Sequence, residues 1–275
     1  MYKYLFLVFT TILFFGCDSN SNTAEHSDIH KASFQQLLDD QGVHGALLIY
    51  DAQKKIYYSN DFQYAAQGFL PASTFKIPHA LIALETETIK DDTFIFKWDG
   101  KKRDFPTWER DLSMKEAFRA SCVPCFQEVA RKIGFEKMNT YLNKLHYANM
   151  KFTAANVDSF WLQGESRISP FEQIDFLNRL YSKRLPILNI NREKVIDYMR
   201  IEQTASYSFY GKTGWSYAAD VNNGWMVGFL TNGQKIYYYA LNISPNTNTD
   251  SSSFPATREK IVRAAFQQLN LMETK

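Results

Sequence analysis

Two short stretches of this chain carry residue types that can act on one another. Pro71-Ala-Ser73-Thr-Phe-Lys76-Ile-Pro sets a hydroxyl and an amine three residues apart. On a helix that is nearly one turn, so Ser73 and Lys76 share a face and the amine reaches the hydroxyl. A serine hydroxyl is a poor nucleophile until a base removes its proton. A charged lysine cannot serve, so burial has to hold the amine neutral. Desolvation lowers a lysine pKa by several units, and Phe75 and Ile77 are suitable apolar neighbours. Alone, a Ser-x-x-Lys is expected about once by chance in a chain this long, and a helix N-cap serine beside a solvated lysine is then its commoner meaning. Lys212-Thr213-Gly214 adds weight, because a given tripeptide arises by chance in only about a few per cent of such chains. It follows the strand-like Tyr207-Ser-Phe-Tyr-Gly. An edge strand there can present backbone N–H groups to a reacting carbonyl, while Lys212 and Thr213 meet an anionic group.

The elements that have to position these groups follow from periodicity and turn chemistry. Gly45 to Tyr50 and Lys55 to Tyr58 read as a hairpin around Asp51-Ala-Gln. From Ser73 to about Arg200 the pattern is mainly helical, with continuous stretches at Met114 to Ile133, Phe135 to Leu145 and Pro170 to Tyr181. Strands return at Tyr207 to Thr213, Trp225 to Leu230 and Lys235 to Ile243, and Asn232-Gly233 between apolar runs is a hairpin signal. Ser244 to Ser253 reads as a loop and Ala256 to Leu269 as a closing helix. Strands from both ends around a helical middle imply an α+β fold: an antiparallel sheet built by the N- and C-terminal segments, flanked by helices, with a helical subdomain between.

The 275 residues are 45% hydrophobic and 16% aromatic, enough for a large core. A net charge of +2 without a basic stripe argues against a nucleic-acid partner. The five histidines lack any paired ligand spacing, so no metal site is expected. Residues 1–17 read as an export signal: one lysine, an apolar run from Leu5 to Phe15, then Gly16-Cys17. That resembles a bacterial lipoprotein signal, in which Cys17 is lipidated. Residues 18–30 then form a flexible tether and 31–275 the catalytic domain, exported to the periplasm and held to a membrane only through the lipid. Cys122-Val-Pro-Cys125 reads first as two small buried hydrophobes. A local disulfide is the second reading, and thioredoxin-like redox chemistry the third.

Further motifs carry a family resemblance from about Gly45 to Leu269. Beside the two stretches above stand Phe96-Lys-Trp-Asp-Gly100, Trp108-Glu-Arg-Asp111, Ser121-Cys-Val123, Phe160-Trp-Leu-Gln-Gly164 and Trp225-Met-Val-Gly228. In this order they resemble the class D β-lactamases (oxacillinases). The resemblance implies hydrolysis of small-molecule β-lactams by a monomer or homodimer. Ser73 would be acylated. Lys76 would be carboxylated by carbon dioxide or bicarbonate to N6-carboxylysine, the general base, with no diffusible cofactor. Ser121 would relay a proton to the leaving nitrogen. Val123 and Leu162 would keep the pocket dry, and the Trp161 indole would hydrogen-bond the carbamate. Backbone N–H groups of Ser73 and Trp215 would form the oxyanion hole. Lys212, Thr213 and Arg258 would bind the substrate carboxylate, and Gly214, Trp215 and Leu162 would also belong to the substrate-binding set.

Two departures stand out. Tyr147-Ala148-Asn149 replaces the usual Tyr-Gly-Asn, and a positive φ there would be strained for alanine. His79 stands where asparagine is commoner. Two rival functions share the serine–lysine logic: a β-lactam sensor domain that is acylated without efficient turnover, and a cell-wall transpeptidase or carboxypeptidase.

Overall fold

A computed structural model describes residues 29–31, 33–90, 93–218, 221–246 and 254–272. The signal segment, Cys17 and most of the expected tether lie outside these residues. So does most of the loop expected over Ser244 to Ser253.

The strands are β1 (Ile29–Lys31), β2 (Val43–Asp51), β3 (Ile56–Ser59), β4 (Ile95–Phe96), β5 (Leu112–Ser113), β6 (Arg200–Gln203), β7 (Tyr207–Ala218), β8 (Val221–Asn232) and β9 (Lys235–Pro245). The helices are α1 (Phe34–Asp39), α2 (Phe62–Ala65), α3 (Lys76–Glu85), α4 (Met114–Arg119), α5 (Val123–Ile133), α6 (Phe135–Lys144), α7 (Pro170–Tyr181), α8 (Asn189–Met199) and α9 (Phe254–Gln268). Seven strands form one sheet in the order β1-β3-β2-β9-β8-β7-β6, and β4 pairs with β5 apart from it. The α+β architecture expected from the sequence is the one observed.

Both termini build the sheet because β2 pairs with β9 over its whole length, from Val43 opposite Pro245 to Asp51 opposite Tyr237. The sheet separates two apolar cores. One lies under α1 and α9 and contains Phe34, Leu47, Met226 and Phe266. The other lies toward the helical middle and contains Phe75, Phe126, Trp161 and Trp225. Gly233 (φ 57) makes the tight β8–β9 turn, a conformation glycine adopts at no steric cost.

Three expectations need correction. β1 takes up Ile29 and His30, so the tether ends earlier than residue 30, and β1 joins β3 in parallel rather than antiparallel. The helix expected from Met114 to Ile133 is broken between Arg119 and Val123. Ser121 there adopts φ 53, and Pro124 in the first turn of α5 supplies no N–H to continue the preceding helix. Cys122 and Cys125, read first as independent hydrophobes, are joined as a disulfide with α-carbons 5.4 Å apart. Cys122 caps the N-terminus of α5, its sulfur accepting the Cys125 backbone N–H at 3.2 Å.

Gly211 on β7 faces Gly228 on β8. The pair leaves a notch filled by the Tyr239 hydroxyl, which donates to the Tyr210 carbonyl at 2.9 Å. A Cβ on Gly228 would lie 2.0 Å from that same carbonyl oxygen, a backbone atom that cannot swing aside. Gly228→Ala is expected to lower unfolding free energy by about 2 kcal/mol or more, measured by urea denaturation. For the cysteines, alkylation of unfolded, unreduced protein should label neither Cys122 nor Cys125, and both after reduction. Two labels before reduction would refute the pairing.

Candidate active site

Ser73 lies in a single turn of 3-10 helix, Ala72–Phe75, that runs straight into α3. Ala72 enters it with φ 49, a left-handed conformation that costs a non-glycine residue on the order of 1 kcal/mol. Neighbouring groups hold it there. The Ala72 N–H donates to the Trp161 carbonyl at 2.8 Å. From β8, the Asn223 amide and the Trp225 indole both donate to the Leu70 carbonyl, each at 2.8 Å. Gly214 on β7 comes so near the turn that a Cβ would sit 3.2 Å from the Pro71 oxygen and the Thr74 nitrogen.

Lys76 is completely buried, and its Nζ donates to Ser73 Oγ at 3.0 Å. Burial alone lowers its pKa to about 7, leaving much of the amine neutral at physiological pH. The Nζ lies 5.0 Å from the centre of the Phe126 ring. Trp161 is fully buried and stacks on Phe75 at 5.4 Å, and its indole N–H has no hydrogen-bond partner. Val123 and Leu162, the other expected walls, are half-buried and pack against this core.

On the cleft side, Lys212 Nζ makes a very short contact with Ser121 Oγ and donates to the Thr213 carbonyl at 2.8 Å. Its pKa is pushed well below the ordinary lysine value by burial, then by repulsion from Lys76 and Arg258. Lys212 Nζ thus contacts Ser121 Oγ, while Thr213 lines the cavity. Arg258 is also buried, and its guanidinium donates to the Gly214 and Pro255 carbonyls. Burial lowers its pKa to about 10, so it stays charged, and among the described residues no carboxylate pairs with it. A cavity of about 210 Å³ opens over Ser73, Ser121, Val123, Thr213, Trp215 and Arg258, with Phe105 and Trp108 on its far wall.

β7 is not the last strand of the sheet, yet its edge is free where it passes the nucleophile. β6 pairs only with Ser208, Phe209 and Tyr210, leaving Lys212 to Trp215 open on that side. The arrangement joins an activated hydroxyl, a second hydroxyl served by a lysine, an open strand edge and an unpaired cation around one cavity. Such a site is equipped for acyl transfer from an anionic substrate.

The structure gathers the candidates from Ser73 to Arg258 around one site, while Cys17 lies outside the described residues; the sequence did not single out Phe126 beside the lysine or Phe105 on the cleft wall. Phe126 stands three residues after Val123 on α5, so helical spacing carried its signal. Phe105 precedes a proline in an irregular segment and carried none. Ala148 does adopt φ 39, the strained positive angle anticipated for an alanine there.

The penicillin-binding-protein transpeptidase domain model matches residues 44–267. The β-lactamase OXA-5 of Pseudomonas aeruginosa is 35% identical over 245 residues, covering 88% of this chain and 91% of that protein. The β-lactamase OXA-48 of Klebsiella pneumoniae is 39% identical, over 74% of this chain and 77% of its own. Among solved structures, a class D β-lactamase from Nostoc aligns with a TM-score of 0.82 and 40% identity, covering 87% of this chain and 99% of that one. Another, from Sebaldella termitidis, reaches a TM-score of 0.85 at 33% identity, covering 90% and 100%. With the serine–lysine pair, the Lys-Thr-Gly strand and the sheet topology in place, these matches show that the chain belongs to the class D β-lactamases.

Proposed function

We propose that this protein hydrolyses β-lactam rings through an acyl-enzyme on Ser73, with Lys76 carboxylated to supply the base. The observation that carries this reading is a wholly buried lysine amine, held near neutrality, 3.0 Å from the serine hydroxyl. Only a neutral amine adds carbon dioxide: a nitrogen–carbon bond forms and one proton leaves. The pocket suits the product, because the unpartnered Trp161 N–H can donate to an oxygen and the walls exclude water. Bound there, carbon dioxide supplies a carboxylate able to accept a proton that an ammonium cannot.

The chain's own groups perform the rest. Ser73 Oγ attacks the ring carbonyl as its proton departs. Backbone N–H groups of Ser73 and Trp215 stabilise the oxyanion by roughly 3–4 kcal/mol each. As the carbonyl–nitrogen bond breaks, Ser121 passes its proton to the ring nitrogen, and Lys212 restores it. The charged fork of Arg258, with Thr213, holds the substrate carboxylate; a planar guanidinium can bind both oxygens. A water then attacks the ester and frees Ser73. The same reading places the enzyme in the periplasm, exported by residues 1–17 and lipidated on Cys17, on the strength of the signal-like pattern there.

Stripping bicarbonate is expected to lower steady-state hydrolysis by about tenfold or more, since a positioned general base contributes on the order of a hundredfold or more. Re-addition should restore it. The sign with pH follows from Lys76: below about 7 the amine is protonated, cannot hold carbon dioxide, and turnover falls. Added bicarbonate should shift that acid limb to lower pH. Unchanged hydrolysis in degassed buffer would remove the carbamate from the account.

Pre-steady-state kinetics with a penicillin tests turnover itself. Sustained hydrolysis beyond one equivalent is expected, whereas a single stoichiometric burst would mark a sensor. Trp161→Phe keeps a buried ring but removes the N–H. It should convert the trace to a burst followed by a steady rate reduced about tenfold or more, the value of one hydrogen bond to a charged group. Equal loss in both phases would contradict a role in deacylation.

A further inference from the structure

His79 is fully buried, and neither of its ring nitrogens has a hydrogen-bond partner. A polar ring with two unmet nitrogens in an apolar core is costly, and natural interiors rarely retain one without a use. Its position says what it can serve. Ser73, Lys76 and His79 recur at three-residue intervals through the nucleophile turn and α3. Helical side chains lean back toward the N-terminus, so the imidazole lies over the turn that carries Lys76.

The rings around His79 are those that enclose the lysine. Its centroid is 5.2 Å from Phe126, whose face also receives the Lys76 amine, 5.4 Å from Phe75 and 5.3 Å from Trp161. The Trp161 N–H is unpartnered in the same shell. One chamber thus gathers an amine whose oxygen partner is Ser73 Oγ, an indole donor and an imidazole, the two rings lacking any oxygen to bond. Burial first, and then the proximity of Lys76, lowers the His79 pKa to about 3, so the ring stays neutral while the enzyme works. A neutral imidazole keeps one N–H to donate. A neutral donor can hold a carboxylate without the strong loss of basicity that a cation would impose.

We propose that His79 is a positioning residue for Lys76, donating a second hydrogen bond, beside that of Trp161, to the carboxylate formed when carbon dioxide adds to the amine. The proposal rests on the carbamate reading of Lys76. It assigns the imidazole no step in proton transfer to substrate.

Carbon-13 bicarbonate, titrated into the full enzyme and followed by NMR, reads occupancy of the carbamate independently of hydrolysis. The half-saturating concentration for His79→Leu should rise about tenfold or more, the value of one hydrogen bond to a charged acceptor. His79→Asn, which retains a neutral N–H, should stay nearer the wild type. In wild-type enzyme labelled with nitrogen-15 histidine, the His79 ring resonances should shift as bicarbonate saturates Lys76. A carbamate signal with unchanged bicarbonate affinity in a folded His79→Leu would overturn the proposal, as would ring resonances that do not move. Absence of any carbamate signal in wild type would instead bring down the carboxylated lysine, and the role of His79 with it. Thermal melting shows whether each variant is folded; His79→Asn keeps the test open should His79→Leu fail to fold.

Discussion

The structure turns on keeping one amine out of water. Lys76 has no exposed surface and, among the described residues, no carboxylate against it, so the charged form loses its hydration and gains only a serine hydroxyl and a ring face in return. That penalty is what makes the lysine chemically available. Its walls come from separate parts of the chain: Phe75 from the nucleophile turn, Phe126 from α5, Trp161 from the loop before α7. The backbone bond from Ala72 to the Trp161 carbonyl fixes the turn to that loop. Serine and chamber are therefore placed by the same contacts.

Charge is distributed around the cleft in grades. Lys76 is depressed by burial alone and Lys212 by burial and then by repulsion from Lys76 and Arg258, and each meets a serine hydroxyl. Arg258 is depressed too, but from a starting value so high that it remains a cation. Of three basic groups in one neighbourhood, burial thus disfavours the charged form of two lysines and leaves the arginine a cation. Among the described residues the Arg258 guanidinium bonds to backbone carbonyls and has no carboxylate partner.

Much of this was legible in the residues. Ser-x-x-Lys, Lys-Thr-Gly and the Asn-Gly turn encode local geometry, and the structure places them as local rules require. Alternation and helical spacing yielded the sheet from both termini and most helices. What escaped was set by tertiary context. The run from Met114 to Ile133 has unbroken helical periodicity, yet Ser121 takes a left-handed conformation that breaks the helix so its hydroxyl can meet Lys212 across the cleft. Cys-x-x-Cys spacing permits a bond but does not demand one. His79 looks like any helix-face histidine until α5 and the Trp161 loop close over it, and β1 is too short to show a period.

The pairing of β2 with β9 bears on how the molecule is made. Those strands are separated by roughly two hundred residues, and contacts of such long range slow folding because the loop must close before they form. The interior strand β8, which grips the Leu70 carbonyl, also emerges late. An N-terminal fragment would hold the serine and lysine in its sequence but lack the scaffold that orients them. Until its last hairpin arrives the chain therefore stays incompletely folded and chemically silent.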